Sequence, residues 1–136
     1  MTVVIDTNII LDYVLEREGF VQASSDCLER LVINKTKLYL TANTITDIYY
    51  ITLSHLKNTT SAKEIIGKLL SSFLIIPVDG TDCFKAIGTG IDDYENSVLC
   101  ICAKKVKADY IITRNTKDFA VSSIKAIAPD DFLKLI

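Results

Sequence analysis

The sequence lacks most of the features that mark specialised classes of protein. Among 136 residues it has one His, one Met, two Pro and no Trp. No apolar run approaches the roughly 20 residues that a membrane-spanning helix needs. The start, residues 1–6, has no basic segment, and Asp6 stands where the apolar core of a signal peptide would lie. We therefore expect a cytoplasmic protein.

An excess of basic residues is also missing. Fifteen Lys and Arg residues stand against 17 Asp and Glu residues, so the net charge is −2 and the pI is near 5.3. Non-specific binding to nucleic acid depends on basic surfaces, so a nucleic-acid substrate would need positive charge from another source, such as a metal ion. The four Cys residues have no zinc-site spacing with each other or with His55, and we expect them to be reduced thiols.

Short β-branched runs alternate with amphipathic segments along the whole chain. Strands are predicted at residues 3–5, 37–40, 73–76, 110–112 and 124–127. Helices are predicted from residue 8 to near 19, over 20–34, after the polar breaks at 41–44 and 58–61, and over 80–88, 93–107 and 129–136. This order predicts an α/β fold, with helices on both faces of a mostly parallel sheet of about five strands. The length predicts one domain over 1–136.

Polar residues collect where the predicted strands end. Ligands of parallel α/β sheets bind at that edge. The candidates there are Asp6, Asp47, Asp92, Asp93, Glu95, Asn96, Thr113, Asn115 and Asp118. Carboxylate and amide oxygens suit Mg²⁺ or Mn²⁺, which support phosphodiester cleavage without His or Cys. Taken singly, Asp6 is also a good helix N-cap, and Asp47 is also compatible with a solvated helix face.

Four stretches together resemble one known family. They are VVIDTNIILDYVL near the start, LTANTITDIYYI in the middle, DDYENSVLCICAKKVKADYIITRNTKDF towards the end, and APDDFLKL at the C-terminus. Their combination and order resemble the PIN-domain family of metal-dependent ribonucleases, and within it the VapC-like toxins of bacterial toxin–antitoxin pairs. The resemblance implies a three-layer α/β/α fold with a carboxylate-held Mg²⁺ or Mn²⁺ ion.

The resemblance also implies the catalytic and metal-binding residues. Asp6 matches the first acid of the family, and Asp47 occupies the place of the second, which is usually Glu. Asn115 matches the fourth position. Asn96 stands at the place of the third acid, where an amide brings an oxygen ligand without charge.

Two acids before Asn96 are candidates to replace its missing charge. Asp93 lies three residues earlier, on the same helix face if that turn is helical, and Asp92 is the next candidate. Glu95 is expected to point elsewhere. Residues with predicted roles in substrate contact or positioning are Thr7, Asn8, Thr113, Arg114 and Asp118. For Arg114, a phosphate contact and a solvated loop are both open readings.

The function implied by the resemblance is that of an endoribonuclease, with RNA as substrate, an antitoxin protein as partner and a homodimeric state. Asn96 and the shorter Asp47 keep a second reading open, namely a degenerate domain that binds RNA or a protein without efficient cleavage. A non-nuclease α/β domain fits less well. A phosphatase of the haloacid-dehalogenase type, for example, has a second Asp where Asn8 stands.

Overall fold

The centre of the structure is a five-stranded sheet. The computed structural model describes residues 1–136, and its strands are β1 (Thr2–Ile5), β2 (Lys37–Thr41), β3 (Leu74–Ile76), β4 (Tyr110–Ile112) and β5 (Lys125–Ile127). They follow the order β3-β2-β1-β4-β5, and every neighbouring pair is parallel. In the centre, Val4 of β1 stands opposite Tyr39 of β2 and Ile111 of β4. The predicted α/β class and strand number are confirmed.

Seven helices connect and cover the strands. They are α1 (Thr7–Val14), α2 (Val21–Ile33), α3 (Ala42–Leu56), α4 (Thr59–Ser72), α5 (Gly80–Ala86), α6 (Tyr94–Lys105) and α7 (Pro129–Leu133), with a 3₁₀ turn at Thr116–Phe119. None of these helices is long and apolar enough to cross a membrane.

Some predicted helix ends were wrong. The break predicted at 58–61 is partly the first turn of α4, because Asn58 caps that helix and its Oδ1 accepts from Ser61 N at 3.0 Å. The C-terminal helix stops at Leu133 rather than 136, since the N–H groups of Lys134 and Leu135 bond the carbonyls three residues back. Helix α6 begins at Tyr94 and ends at Lys105, so it is shorter than the predicted 93–107.

The core lies on both faces of the sheet because successive strand residues point to opposite sides. Val3 and Ile5 face the layer formed by α1, α2, α3, α4 and α7. Val4 faces the other layer, formed by α5, α6 and the 3₁₀ turn. Residues 96–103 of α6 are all buried, as expected of a helix enclosed on every side.

Three helices begin at the carboxyl edge of the sheet. Asp6 directly follows β1 and caps α1, Thr41 ends β2 and caps α3, and Asp93 caps α6. The backbone N–H of Asp6 also donates to Ile112 O of β4 at 3.0 Å. This bond ties the start of α1 to the end of β4, so polar residues from distant segments meet at one edge.

Candidate active site

A cleft of about 300 Å³ opens at this carboxyl edge. Seven predicted site residues line it together, namely Asp6, Thr7, Asn8, Asp47, Asp93, Asn96 and Asn115. Glu95 joins them as a fourth carboxylate, and no Lys, Arg or His lies among the fourteen lining residues. The positive ends of three helix dipoles offset only part of this charge. The cleft therefore needs positive charge from outside its own walls.

Asp6 is the most enclosed of these carboxylates, with 7% of its surface exposed. Its Oδ1 accepts from Thr7 N at 2.8 Å, and its Oδ2 accepts from the Thr113 hydroxyl at 2.7 Å. Burial raises the pKa of Asp6, while these two hydrogen bonds oppose the rise. Thr113 is fully buried beneath the cleft, so it holds Asp6 in place from below and does not line the opening.

Glu95 faces the cleft, and the prediction that it points elsewhere was wrong. Its carboxyl lies close to that of Asp47, which comes from α3. The interaction with Asp47 is the largest cause that raises the pKa of Glu95 to about 7, followed by burial and the charges of Asp93 and Asp6. Side chains in a helix point back towards its N-terminus, so Glu95, in the first turn of α6, reaches the cleft.

The start of α3 supplies residues that sequence reasoning missed. The hydroxyl oxygens of Thr7, Thr44 and Thr41 form a chain with two O···O distances of 2.9 Å. This chain fastens the first turn of α1 to that of α3. Asn43 also lines the cleft, and its Oδ1 is buried without a hydrogen-bond partner. The available signal was their position, directly after a predicted strand.

Asn96 has a charged partner on the 3₁₀ turn. Its Nδ2 donates to Asp118 Oδ2 at 3.3 Å, and its backbone N–H donates to Asp93 Oδ1 at 3.0 Å. Asp118 lies in an adjoining hollow that Asp92 and Asp93 also line. Asp92 is absent from the cleft itself, so Asp93 is the better placed of the two acids considered as replacements for the missing charge.

Arg114 does not line the cleft. Its Nε lies 2.9 Å from Oδ2 of Asp12, a side chain with no exposed surface, and its guanidinium stacks 3.9 Å from the centre of the Phe20 ring. The sequence suggested a phosphate contact or a solvated loop for Arg114, and neither interpretation included this ion pair with Asp12. Arg17 also approaches Asp12, at 3.5 Å, and donates to Asn8 Oδ1 at 3.0 Å.

The types of oxygen atom that line the cleft suit a hard divalent cation. Its polar walls offer carboxylate, amide and hydroxyl oxygens and no sulfur or imidazole, as Mg²⁺ and Mn²⁺ prefer. As the side chains stand, no group of three or more His, Cys, Asp and Glu residues could hold a metal ion. The neighbouring charges of Asp47, Asp93 and Asp6 all raise the pKa of Glu95, which indicates a repulsion between carboxylates that a cation would relieve.

Comparison with known proteins identifies the family to which this chain belongs. Residues 2–117 match the family model described as the PIN domain. No curated protein sequence matches the chain.

Several solved structures have a similar fold. VapBC2 from Rickettsia felis, bound to a promoter DNA fragment, has a TM-score of 0.72 at 17% identity, with 94% of this chain and 98% of that chain covered. A toxin–antitoxin complex from Klebsiella pneumoniae has a TM-score of 0.70 at 18% identity, with 93% of this chain and 97% of that chain covered. VapBC-1 from nontypeable Haemophilus influenzae has a TM-score of 0.70 at 17% identity, with 96% of this chain and 99% of that chain covered. The family model spans most of the sequence, and the chain belongs to the PIN-domain family.

Proposed function

We propose that this protein is an endoribonuclease that depends on Mg²⁺ or Mn²⁺. The observation that carries the proposal is the composition of the cleft, where four carboxylates and no basic side chain meet at the carboxyl edge of a parallel sheet. Membership of the PIN-domain family, whose members are generally nucleases, supports it. An RNA phosphate is anionic, so it approaches such a cleft only when a cation shields the carboxylates.

The cleft residues have distinct proposed roles. Asp6, Asp47, Asp93 and Asn96 would hold the cation, and Asn115 lies beside them. When bound, the ion supplies Lewis acidity that activates water and stabilises the leaving oxygen in phosphodiester cleavage.

Other groups of the chain support this site. Thr113 orients Asp6 through its hydroxyl, and the threonine chain that includes Thr7 keeps α1 and α3 at a fixed spacing. The guanidinium of Arg17 donates to Oδ1 of Asn8. The Nδ2 amino group of Asn8 therefore remains free to donate towards an anionic substrate in the cleft.

We also propose the biological setting. The similar structures named above are described as toxin–antitoxin complexes. By analogy, this chain would act as a VapC-like toxin in the cytoplasm, with an antitoxin protein as partner, as a homodimer and with residues 1–136 as a single domain. These assignments rest on likeness of fold at below 25% identity.

A degenerate domain that binds RNA or protein without efficient cleavage is the second candidate. It is favoured by Asn96, which replaces an acid of the family pattern, and by Asp47, which is one methylene shorter than the usual Glu. If this candidate holds, the double variant Asn96→Asp with Asp47→Glu gains metal-dependent RNA cleavage that the parent protein lacks.

Calorimetric titration with Mn²⁺ tests the proposal before any substrate is known. The protein is titrated alongside the variant Asp6→Asn, with Asp26→Asn as a matched control because Asp26 is an exposed acid on α2. Cleavage of a mixed RNA pool, with and without Mn²⁺, is then followed on a gel for the same three proteins.

The proposal expects saturable Mn²⁺ binding that Asp6→Asn weakens at least tenfold and Asp26→Asn leaves unchanged. Metal-dependent cleavage should follow the same order. Equal binding by all three proteins, or no binding up to millimolar Mn²⁺, overturns the metal-dependent reading. Binding without cleavage of any RNA supports the degenerate reading.

A further inference from the structure

We infer that Asp118 is a positioning residue, whose carboxylate turns the Asn96 amide so that its carbonyl oxygen faces the cleft. The inference rests on the proposed metal-dependent function and specifies how an amide can stand at the place of an acid. It assigns a role to the 3₁₀ turn at Thr116–Phe119, which contributes no lining residue to the cleft.

The chemistry of the two groups fixes the orientation of the amide. An ionised carboxylate only accepts hydrogen bonds, so the amide nitrogen, and not the oxygen, must face Asp118. The Nδ2–Oδ2 distance is 3.3 Å. The backbone N–H of Asn96 is held by Asp93 Oδ1 at 3.0 Å, and only 9% of the residue is exposed. Asn96 is therefore tethered at its backbone and at its side chain.

The opposite end of the amide is free. No N–H or O–H group of the chain donates to Asn96 Oδ1, and this atom is not among the buried atoms without a partner. Since the residue lines the cleft, its Oδ1 is an accessible acceptor there. An amide whose N–H donates a hydrogen bond is held in one orientation and polarised, which makes its oxygen a better ligand for a cation.

The position of Asp118 does not depend on Asn96. Phe119, which is 3% exposed, anchors the turn in the core beside α6. The backbone N–H of Asp118 donates to Asn115 O at 3.0 Å. The carboxylate is thus presented by a packed turn, so removal of its acceptor should release the amide of Asn96 without moving the helix.

Two substitutions separate the hydrogen bond from the charge. Asp118→Asn keeps an acceptor oxygen and removes the charge, whereas Asp118→Ala removes both. Mn²⁺ affinity is measured by calorimetry for each variant, for Asn96→Ala and for the double variant of both alanine changes. Asp92→Ala is the matched control, because Asp92 lines the same hollow as Asp118 but makes no hydrogen bond to Asn96.

Asp118→Ala should weaken Mn²⁺ binding about five- to tenfold, as expected for the loss of one hydrogen bond that orients a ligand. Asp118→Asn and Asp92→Ala should stay within about twofold of the parent protein. In the Asn96→Ala background, Asp118→Ala should have no further effect, because it acts only through Asn96. The side-chain NH₂ resonances of Asn96, assigned from their loss in Asn96→Ala, should shift in Asp118→Ala without added metal.

Equal weakening by Asp118→Asn and Asp118→Ala would show that Asp118 acts through its charge, and would overturn the inference. An undiminished effect of Asp118→Ala in the Asn96→Ala background would overturn it as well. If Asp118→Ala does not fold, Asp118→Asn and the NH₂ resonances decide. The separate failure of the proposed function is recognised by a parent protein that binds no Mn²⁺, or by Asp6→Asn binding as well as the parent.

Discussion

At the scale of residues, the cleft is defined by carboxylates that crowd one another. Asp47 and Glu95 come from different helices, and their carboxyl groups lie close together in the cleft. The charges of Asp93 and Asp6 add to the repulsion that raises the pKa of Glu95 to about 7. The ionisation of Glu95 therefore changes near neutral pH, and its effect on stability can be measured without a substrate.

The free energy of unfolding of the parent protein should fall as pH rises from about 4.5 to 7, and substitution of Glu95 should abolish this fall. The folded protein keeps the Glu95 proton up to about pH 7, whereas the unfolded chain releases it near 4.5. The stabilisation is complete below pH 4.5 and is lost as pH rises through 7. In the presence of a chelator, Glu95→Gln should gain stability over the parent protein across this window, by no more than about 1 kcal/mol because water screens the exposed side chain.

The measurement is urea unfolding at several pH values for the parent protein and Glu95→Gln. Glu64→Gln is the control, since Glu64 is an exposed acid on α4. A difference between parent and Glu95→Gln that does not change with pH would contradict the prediction.

The ion pair beneath the site should be important for stability. Asp12 has no exposed surface and faces Arg114, Arg17 and the Ser24 hydroxyl. Asp12→Asn leaves Arg114 partly buried without its counter-charge, so we expect a loss of about 3 kcal/mol in the free energy of unfolding. Asp131→Asn, which breaks a surface pair with Lys134, should cost less than about 0.5 kcal/mol. Similar costs for both variants in urea unfolding would contradict this expectation.

At the scale of elements, four helices end in the same way. Glu16, Lys35, Lys57 and Lys107 follow α1, α2, α3 and α6 and have φ between 49° and 54°. This left-handed conformation is strained for residues with a Cβ atom and is usually taken by Gly at helix ends. The chain therefore carries backbone strain at four helix ends, and at each of them a substitution by Gly can relieve it.

Lys57→Gly should stabilise the protein by about 0.5–1 kcal/mol. Lys57 ends α3 with φ 54° and ψ 32°, and Gly adopts these angles without strain. The gain is limited because Gly also increases the entropy of the unfolded chain. Lys63→Gly, in an exposed position within α4, should instead cost about 1 kcal/mol. Thermal unfolding of both variants checks the opposite signs.

The elements show what the sequence alone can predict. All five strands were predicted to within one residue, because short apolar runs bounded by polar residues are a local signal. The start of α6 was also predicted to within one residue, but the direction of Glu95 in its first turn was not, since this side chain turns into the cleft. The partner of Arg114 was missed because Asp12 lies 102 residues away in sequence. Contacts at such separation leave no periodic pattern in the sequence.

At the scale of the whole molecule, one sheet joins both core layers. Val4 packs against one layer, and its neighbours Val3 and Ile5 pack against the other. Loss of β1 would therefore disrupt both layers at once. This coupling favours unfolding in a single step.

We expect far-UV circular dichroism and tyrosine fluorescence to report the same urea transition. The chain has no Trp and six Tyr, and among them Tyr39 and Tyr110 belong to β2 and β4, which flank β1. Two separate midpoints would contradict this prediction and would also count against a single domain over residues 1–136.

The central place of β1 has a consequence during synthesis on the ribosome. Asp6 and Thr113 are hydrogen-bonded at 2.7 Å across 107 positions of sequence. At about 5–20 residues per second, the first strand waits roughly 5–20 s for this partner to be translated. Until then Asp6 lacks both Thr113 and the Ile112 carbonyl that fix it. A nascent chain thus carries no assembled cleft, and any activity of this site can begin only after most of the polypeptide has emerged.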